Sequence, residues 1–250
     1  MKFNNLITGG LLAVMPAMAT ADVLSIAVGG GVWNETPEGN IIKPSNATTP
    51  TVDAKNDLFW TEESQGYLFA TLEHPVPILP NVRLMYTSLD HSGNGDTSFT
   101  YEGIDFGGTD INVANEFSIK QTDLLLYYEV LDNVVSLDLG LNVRVLDITY
   151  KINDDNGENT NGTVSGTVPM IYGLVGGSPW PGVLLSAEAN YMSYSGSTVS
   201  DFNAKISYTT DFFVGVEAGY RTQTIELDDV DDTNANLDFK GPFIGAYVKF

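Results

Sequence analysis

The sequence of 250 residues contains no cysteine, two histidines, and only 11 lysines and arginines against 32 aspartates and glutamates. The absence of cysteine excludes a disulfide framework and thiol chemistry. The shortage of basic residues argues against nucleic-acid binding, which requires phosphate neutralisation, and against electrostatic docking onto anionic lipid. Beyond the N-terminus, no run of 18 apolar residues occurs, so no transmembrane helix is predicted.

The N-terminus has the layout of a secretory signal peptide. Lys2 supplies a positive charge, residues 6–18 are mainly apolar, and Ala19-Thr-Ala21 provides small residues before a cleavage site. We therefore predict a signal peptide at 1–21 and one domain at 22–250, rather than a buried N-terminal helix. Without Lys2, ten basic residues face 32 acidic ones, a net charge of −22.

The clearest structural signal is an alternation from Val135 to Val145. Every odd position is Val or Leu, and every even position is polar or glycine. A period of two indicates a strand with one apolar and one polar face. Its eleven residues exceed the usual five or six of soluble strands and match the roughly 9–11 that a tilted transmembrane strand needs.

The same alternation recurs along the chain and predicts ten strands. The apolar face stays apolar while the other face repeatedly carries charge, which is the pattern of a membrane barrel with a polar interior. A soluble sandwich with an apolar core is the alternative. The predicted strands are at about 23–33, 65–73, 82–89, 117–129, 134–149, 164–175, 183–194, 202–209, 212–227 and 237–250.

The predicted connections alternate between short turns and long acidic segments. Short ones lie at 74–81, 131–133, 176–182 and 210–211, and the others include 34–64 and 90–116. Short periplasmic turns and long extracellular loops are typical of bacterial outer-membrane proteins. We therefore predict an all-β, transmembrane, antiparallel up-and-down β-barrel of about ten strands, located in the outer membrane of a Gram-negative bacterium.

Three segments carry a resemblance to a known family. Gly29-Gly-Gly-Val-Trp33, the proline-rich segment from Leu72 to Val82 and the terminal Phe250 together resemble an uncharacterised family of proteobacterial outer-membrane β-barrels marked by a Gly-Gly motif. The resemblance implies a barrel and its location, but no activity. It is also typical of such barrels that the last strand, ending here in Phe250, is read by the insertion machinery.

No motif implies a cofactor, a metal or a catalytic group. His91, next to Asp90 and Ser92, is the one suggestive position, and it is interpreted as an ordinary histidine at the barrel rim, with Gly93-Asn-Gly95 as a loop tip. The acidic runs 154–158 and 228–232 lack the ligand spacing of an EF-hand and are interpreted as solvated surface. Weak divalent bridging to lipopolysaccharide is compatible with that interpretation.

The predicted lumen holds five acidic and five basic residues, so its charges balance. In a barrel of about ten strands they are close enough to pair, which favours a plugged polar interior over a narrow pore. Three functions stay open: a structural or surface-interaction barrel, a porin-like narrow channel for small solutes, and a rim-located hydrolase. Expected partners are outer-membrane lipid and lipopolysaccharide. The predicted lumen network is Arg83, Asp123, Glu129, Asp138, Arg144, Glu188, Lys205, Glu217, Arg221 and Lys249.

Overall fold

The structure, a computed structural model, describes residues 24–44 and 48–250. The predicted signal peptide at 1–21 lies outside these residues. Within them, no helix has the length and apolar character that a membrane crossing requires.

The described chain forms one antiparallel sheet of ten long strands and one short strand, β2. Each strand pairs with its neighbour in the sequence, apart from β2, which is a side branch on β1. The all-β up-and-down fold with about ten long strands is therefore confirmed. The strands are β1 Ser25–Ile42, β2 Val52–Asp53, β3 Glu63–Glu73, β4 Asn81–Tyr101, β5 Ile104–Asp132, β6 Val135–Asp154, β7 Asn159–Trp180, β8 Val183–Tyr194, β9 Ser197–Thr209, β10 Val214–Val230 and β11 Thr233–Lys249.

The sheet closes on itself because β11 pairs with β1, from Ala27 opposite Lys249 to Ile42 opposite Asn234. The glycines of the Gly-Gly segment lie in this seam. A Cβ atom on Gly31 would lie 2.2 Å from the carbonyl oxygen of Ile244, so a side chain does not fit there. Closure gives every long strand a partner on both sides, which hydrocarbon requires, although β4 beyond Thr87 and β7 before Ile171 have no paired residue on β3 and β8.

The two ends of the barrel differ. The turn end carries the connections 74–80, 133–134, 181–182 and 210–213, close to the predicted short turns. The hairpin end carries the described parts of the connection from β1 to β3, at 43–44 and 48–62 with β2 among them, and the connections 102–103, 155–158, 195–196 and 231–232. At that end the strands run much farther than predicted: most of 90–116 and 150–163 continues as strand, and Gly93-Asn-Gly95 lies within β4 rather than in a loop tip.

Near the turn end, the wall has the predicted orientation. Leu139 and Leu141 are 51% and 63% exposed on the outer surface, whereas Asp138 and Asn142 are buried inside. The other strands of this half also expose apolar residues outside, while their inner faces carry the charged residues together with a small apolar cluster of Leu125, Tyr127, Tyr172 and Leu174. This half therefore has the inverted pattern of a membrane-spanning barrel.

Toward the hairpin end the pattern reverses. On the outer face of β6, Val145 is followed by Asp147 and Thr149, and on β4, Tyr86 is followed by Ser88. The inner face changes in the opposite sense and becomes apolar. The hairpin half is thus built like a water-soluble β-sheet protein, polar outside and apolar inside, and the apolar outer band ends where the reversal begins.

The hairpin between β6 and β7 is held by Asp154. Its Oδ1 accepts hydrogen bonds from the backbone N–H groups of Asn156 and Glu158, and its Oδ2 accepts one from Gly107, each at 3.0 Å. Burial alone would raise the pKa of this carboxyl group, but the backbone donors hold the pKa below its usual value. These bonds therefore stabilise the hairpin at neutral pH, and the contribution is lost as pH falls through the lowered pKa.

The reversal generates a prediction with a matched control on one strand. Leu141→Arg places a guanidinium in the apolar outer band and should destabilise the barrel in lipid bilayers by about 2–4 kcal/mol, because hydrocarbon cannot solvate the charge. Thr149→Arg, on the same face beyond the band, should have little effect. Urea unfolding in bilayers measures both. Equal losses for the two variants would show that the band does not end at Val145.

Candidate functional site

The interior of the barrel contains all ten residues of the predicted lumen network. Six of them are buried, and the remaining four, Arg83, Glu129, Lys205 and Lys249, are half-buried. They do not form one network. The structure divides them between a compact arginine layer at mid-height and a cavity at the turn end.

The arginine layer closes the middle of the barrel. Arg144 Nε donates to Asp123 Oδ1 at 2.7 Å on the adjacent strand, and Arg144 Nη2 reaches Asp201 Oδ2 at 2.6 Å. Since Asp201 lies on β9, three strands from β6, the second contact ties together distant parts of the wall. Arg221 Nη2 binds the same Asp201 oxygen at 2.6 Å, so two guanidinium groups share one carboxylate.

The arginine layer also has packing contacts on both sides. The guanidinium of Arg221 lies over the Trp33 ring, 4.6 Å from its centroid, and its Nη1 donates to Thr87 Oγ1 at 3.3 Å. Asn142 Nδ2 donates to Asp123 Oδ1 at 2.9 Å.

Asp201 was missed by the sequence prediction because it was assigned to a connection. Extending the alternation of Phe202, Ala204 and Ile206 by one residue would have placed it in the lumen.

Beside the arginine layer, toward the turn end, lies a cavity of about 380 Å³. Glu188 accepts hydrogen bonds from Arg83 at 2.9 Å and from Tyr172 at 3.1 Å. Glu217 accepts from Tyr67 at 2.7 Å and from Lys205 at 3.0 Å. The Arg83–Glu188 and Tyr67–Glu217 contacts join non-adjacent strands, whereas Lys205 and Glu217 lie on the neighbouring strands β9 and β10.

Closer to the mouth of the cavity, Lys249 donates to Glu73 Oε2 at 3.1 Å, and Tyr127 donates to Glu73 Oε1 at 3.1 Å. Glu129, Asp132 and Asp138 also line the cavity. Glu73 and Asp132, which the sequence prediction left out, lie at strand ends, where alternation is hard to extend from sequence. The turn end of the lumen is therefore polar and open.

The hairpin half of the lumen is filled by an apolar cluster. Part of it comes from residues 48–62, here called the inner segment, which folds into the barrel. The buried members of the cluster are Trp33, Ile41, Val52, Ala54, Leu58, Trp60, Tyr67, Leu89, Phe99, Tyr101, Phe106, Val113, Phe117, Ile119, Leu146, Tyr150, Ile152, Ile225, Ala235, Leu237, Phe239 and Phe243.

Specific hydrogen bonds hold the inner segment. Trp60 Nε1 donates to Asn115 Oδ1 at 2.9 Å, and Asn115 Nδ2 donates to the carbonyl oxygens of Leu58 at 2.9 Å and Gly93 at 3.2 Å. A Cβ atom on Gly93 would lie 1.9 Å from the Leu58 carbonyl oxygen. Glycine at position 93 therefore allows the inner segment to approach the wall closely.

His91 lies in this core and not at the rim, so its predicted position is wrong. Its ring is 3% exposed and stacks between Trp60 and Phe239, with centroid distances of 4.9 and 5.6 Å. Its Nε2 is 3.0 Å from Glu35 Oε1, and Glu35 is fully buried. The sequence pattern does not reveal the reversal of the wall, and it therefore places His91 at the end of a strand instead of inside the apolar core.

Phe250 lies at the turn end beside the seam. Its backbone N–H donates to the carbonyl oxygen of Ile26 at 2.8 Å, and its ring stacks on Phe213 with centroids 6.4 Å apart. The side chain is 69% exposed on the outside. Its role as an assembly signal stays a prediction.

The acidic runs at 154–158 and 228–232 lie in the hairpin-end connections and adjoining strand ends. Across residues 24–44 and 48–250, no group of three histidine, aspartate or glutamate side chains has an arrangement that would hold a metal ion.

Comparison with known proteins shows the fold and not the activity. No protein-family model and no curated protein matches the sequence. The outer-membrane protease OmpT from Escherichia coli is similar in structure, with a TM-score of 0.54 and 9% identity over 92% of this chain and 98% of that chain. The transport unit of the autotransporter AIDA-I from Escherichia coli gives a TM-score of 0.42, with 9% identity over 95% and 92%. Ail of Yersinia pestis gives 0.36, with 8% identity over 90% and 98%. The likeness to OmpT, together with the closed antiparallel sheet, shows that the chain has the fold of an outer-membrane β-barrel.

The arginine layer predicts a large effect of one substitution. Arg144→Ala removes the charged partner of Asp123 and one of the two arginine partners of Asp201. It should lower the free energy of unfolding by about 3–5 kcal/mol, because a buried carboxylate loses its compensating charge. Thermal unfolding in detergent measures the change, with Lys151→Ala on the exposed outer wall as the control. If Arg144→Ala unfolds like the wild type, the Arg144 side chain is in contact with bulk water.

Proposed function

We propose that the protein is an occluded outer-membrane barrel of structural or surface-interaction type, and neither a channel nor an enzyme. The observation that carries the proposal is the filling of the lumen. The arginine layer crosses its middle, and the apolar cluster with the inner segment fills its hairpin half. A path for solutes would have to cross both.

The proposed location rests on the apolar outer band. A belt of exposed Leu, Val, Ile, Phe and Tyr surrounds the turn half, and Trp180, Phe212 and Tyr208 are exposed near its edge. Such a belt suits lipid, and aromatic residues suit its interface with water. The predicted signal peptide supports export. We assign the turn end to the periplasm and the hairpin end to the outside, since short turns face the periplasm in bacterial barrels.

In this orientation the hairpin half projects beyond the lipid as a rigid, polar and acidic surface. Its outer wall carries Asp90, Glu116 and Asp147, and its hairpins carry Asp155 and Asp231. The apolar cluster packs against the inner face of this wall. Contacts to the sugar and phosphate groups of lipopolysaccharide, bridged by divalent cations, are the partner interactions that this chemistry supports.

The burial of His91 is the reason for proposing no hydrolase activity. A general base must reach the proton that it abstracts, directly or through one water molecule. The His91 ring lies between Trp60 and Phe239, and no substrate bond reaches it without displacing the inner segment.

Planar-bilayer recording tests the occlusion. We expect purified protein to insert without discrete conductance steps, because ions cannot cross the arginine layer and the apolar cluster. An open trimeric porin recorded under the same conditions controls for insertion and sensitivity. Reproducible steps from the wild-type protein would favour the narrow channel instead.

Because the chain has no cysteine, single-cysteine variants test the orientation. Asn156→Cys, in an outer hairpin, should react with a membrane-impermeant maleimide on intact cells. Pro181→Cys, in a short turn, should react only after the outer membrane is permeabilised. The reverse result would invert the assignment of the two ends, and labelling of neither variant on intact or permeabilised cells would contradict the exposure of both connections.

A further inference from the structure

The cavity at the turn end has the size of a small-molecule site. Its volume of about 380 Å³ lies within the range of roughly 300–1,000 Å³ that is usual for ligand pockets. It extends from Gly182 and Thr209, at the mouth, to Trp33 and Arg221, at the arginine layer. The layer closes its far side, so it is a blind cavity and not a passage.

The lining of the cavity has an excess of negative charge. Six of its lining residues are acidic and four are basic. One of the four bases, Arg221, is already bound to Asp201, which does not line the cavity. The other three bases are bound to Glu188, Glu217 and Glu73. Each basic residue of the lining is therefore already engaged with a carboxylate other than Asp138.

Asp138 is the carboxylate that stands apart. It is 9% exposed and lines the cavity, yet among the described residues it makes no hydrogen bond and no ion pair. A buried carboxylate without a partner is unfavourable, and proteins keep such groups mainly where they serve a purpose. Because Asp138 lines a cavity that opens at the turn end, its carboxylate is placed to bind a cation that enters from that end.

Two further polar atoms of the lining lack partners among the described residues. Asn203 Nδ2 donates to Glu188 Oε1 at 3.3 Å, which leaves its Oδ1 as a buried acceptor without a donor. Ser186 Oγ is also buried and unpaired. The amide orientation of Asn203 follows from Glu188, since a carboxylate can only accept. Asp138 and Asn203 Oδ1 are acceptors and the Ser186 hydroxyl is able to accept, so these groups suit a ligand that donates.

We propose that this cavity binds a small organic cation, an aliphatic amine whose ammonium group is held by Asp138 and whose hydrocarbon body lies against the aromatic lining. An ammonium group supplies positive charge and three donors. Tyr127, Tyr172 and Tyr247 provide ring surface, and Arg83 already lies over the Tyr172 ring, 5.4 Å from its centroid. A metal ion fits less well, because no three carboxylate or histidine groups of the described residues converge.

This site is separate from the proposed function. Occlusion of the hairpin half decides whether solutes cross the barrel, whereas the cavity only has to admit a ligand from the turn end. A failure of the conductance prediction therefore does not bear on amine binding, and a failure of amine binding leaves the occluded barrel intact.

Isothermal titration calorimetry of the full-length barrel in detergent micelles tests the proposal, with 1,5-diaminopentane as the probe. We expect saturable binding to the wild type and a loss of affinity of about tenfold or more in Asp138→Asn, because one charge-assisted hydrogen bond is lost. Asp147→Asn removes the same charge from the outer face of the same strand and should bind like the wild type.

The ligand can be varied as well as the protein. 1,5-Pentanediol has the same length without charge and should give no saturable heat, and glutarate should give none because its carboxylates are repelled. Equal binding of the diol, tighter binding of glutarate, or unchanged affinity in Asp138→Asn would each overturn the proposal. So would the absence of saturable binding of the diamine to the wild type.

The stability of the ligand-free variant gives a second readout. If Asp138 has no partner in the fold, Asp138→Asn should unfold at the same temperature as the wild type or higher, whereas Glu188→Gln, which weakens a bound pair, should unfold at a lower temperature. A drop for Asp138→Asn comparable to that of Glu188→Gln, or a failure to fold, would show that Asp138 is structural and would overturn its assignment to a ligand.

Discussion

Hydrocarbon offers no hydrogen-bond partner to the peptide backbone, and this constraint determines the rest of the structure. A sheet in lipid has to close, so β11 meets β1 along a continuous seam. Closure creates an interior, and a ring of ten long strands makes it narrow. Whatever the inner faces carry must then pack and pair within that space. The interior is accordingly divided into the arginine layer, the apolar cluster and the cavity that the polar residues of the turn end enclose.

These fillings follow the environment of the outer wall. Where lipid surrounds the barrel, apolar side chains are satisfied outside, and polar side chains pair with one another inside, as Arg144 does with Asp123 and Asp201. Where water surrounds it, the outer face is polar and the inner residues form an ordinary apolar core. The same alternating strand thus borders lipid in one half of the barrel and water in the other. His91 and Glu35 lie among the aromatic residues of the apolar core.

Sequence reasoning predicted the membrane half well because period-two alternation with apolar residues outward is a strong local signal. The facing of Leu139, Leu141, Asp138 and Asn142 follows from it directly. The hairpin half was predicted as loops because its strands are rich in Asp, Asn, Gly and Thr, which are also turn formers. Alternation is present there, but with the opposite facing.

Contacts across the lumen could not be predicted from the sequence. Alternation shows which residues point inward, but not which of them meet, since that depends on the register of strands far apart in the chain. The bridge that Asp201 forms between Arg144 and Arg221 was not predicted for this reason. The position of the inner segment inside the barrel could not be predicted either. Its few apolar residues, including Leu58 and Trp60, have no periodicity, and their burial depends on Gly93 and Asn115 of other strands.

The place of the inner segment in the chain has a consequence for the order of folding. It follows β1 directly, and Val52 pairs with Ile41 on one side while Ala235 of β11 pairs with Ile41 on the other. Since the inner segment precedes β11 in the chain, the final strand can dock on a first strand that already carries this segment. The barrel can then close around the inner segment, and this segment does not have to be threaded into a barrel that has already closed.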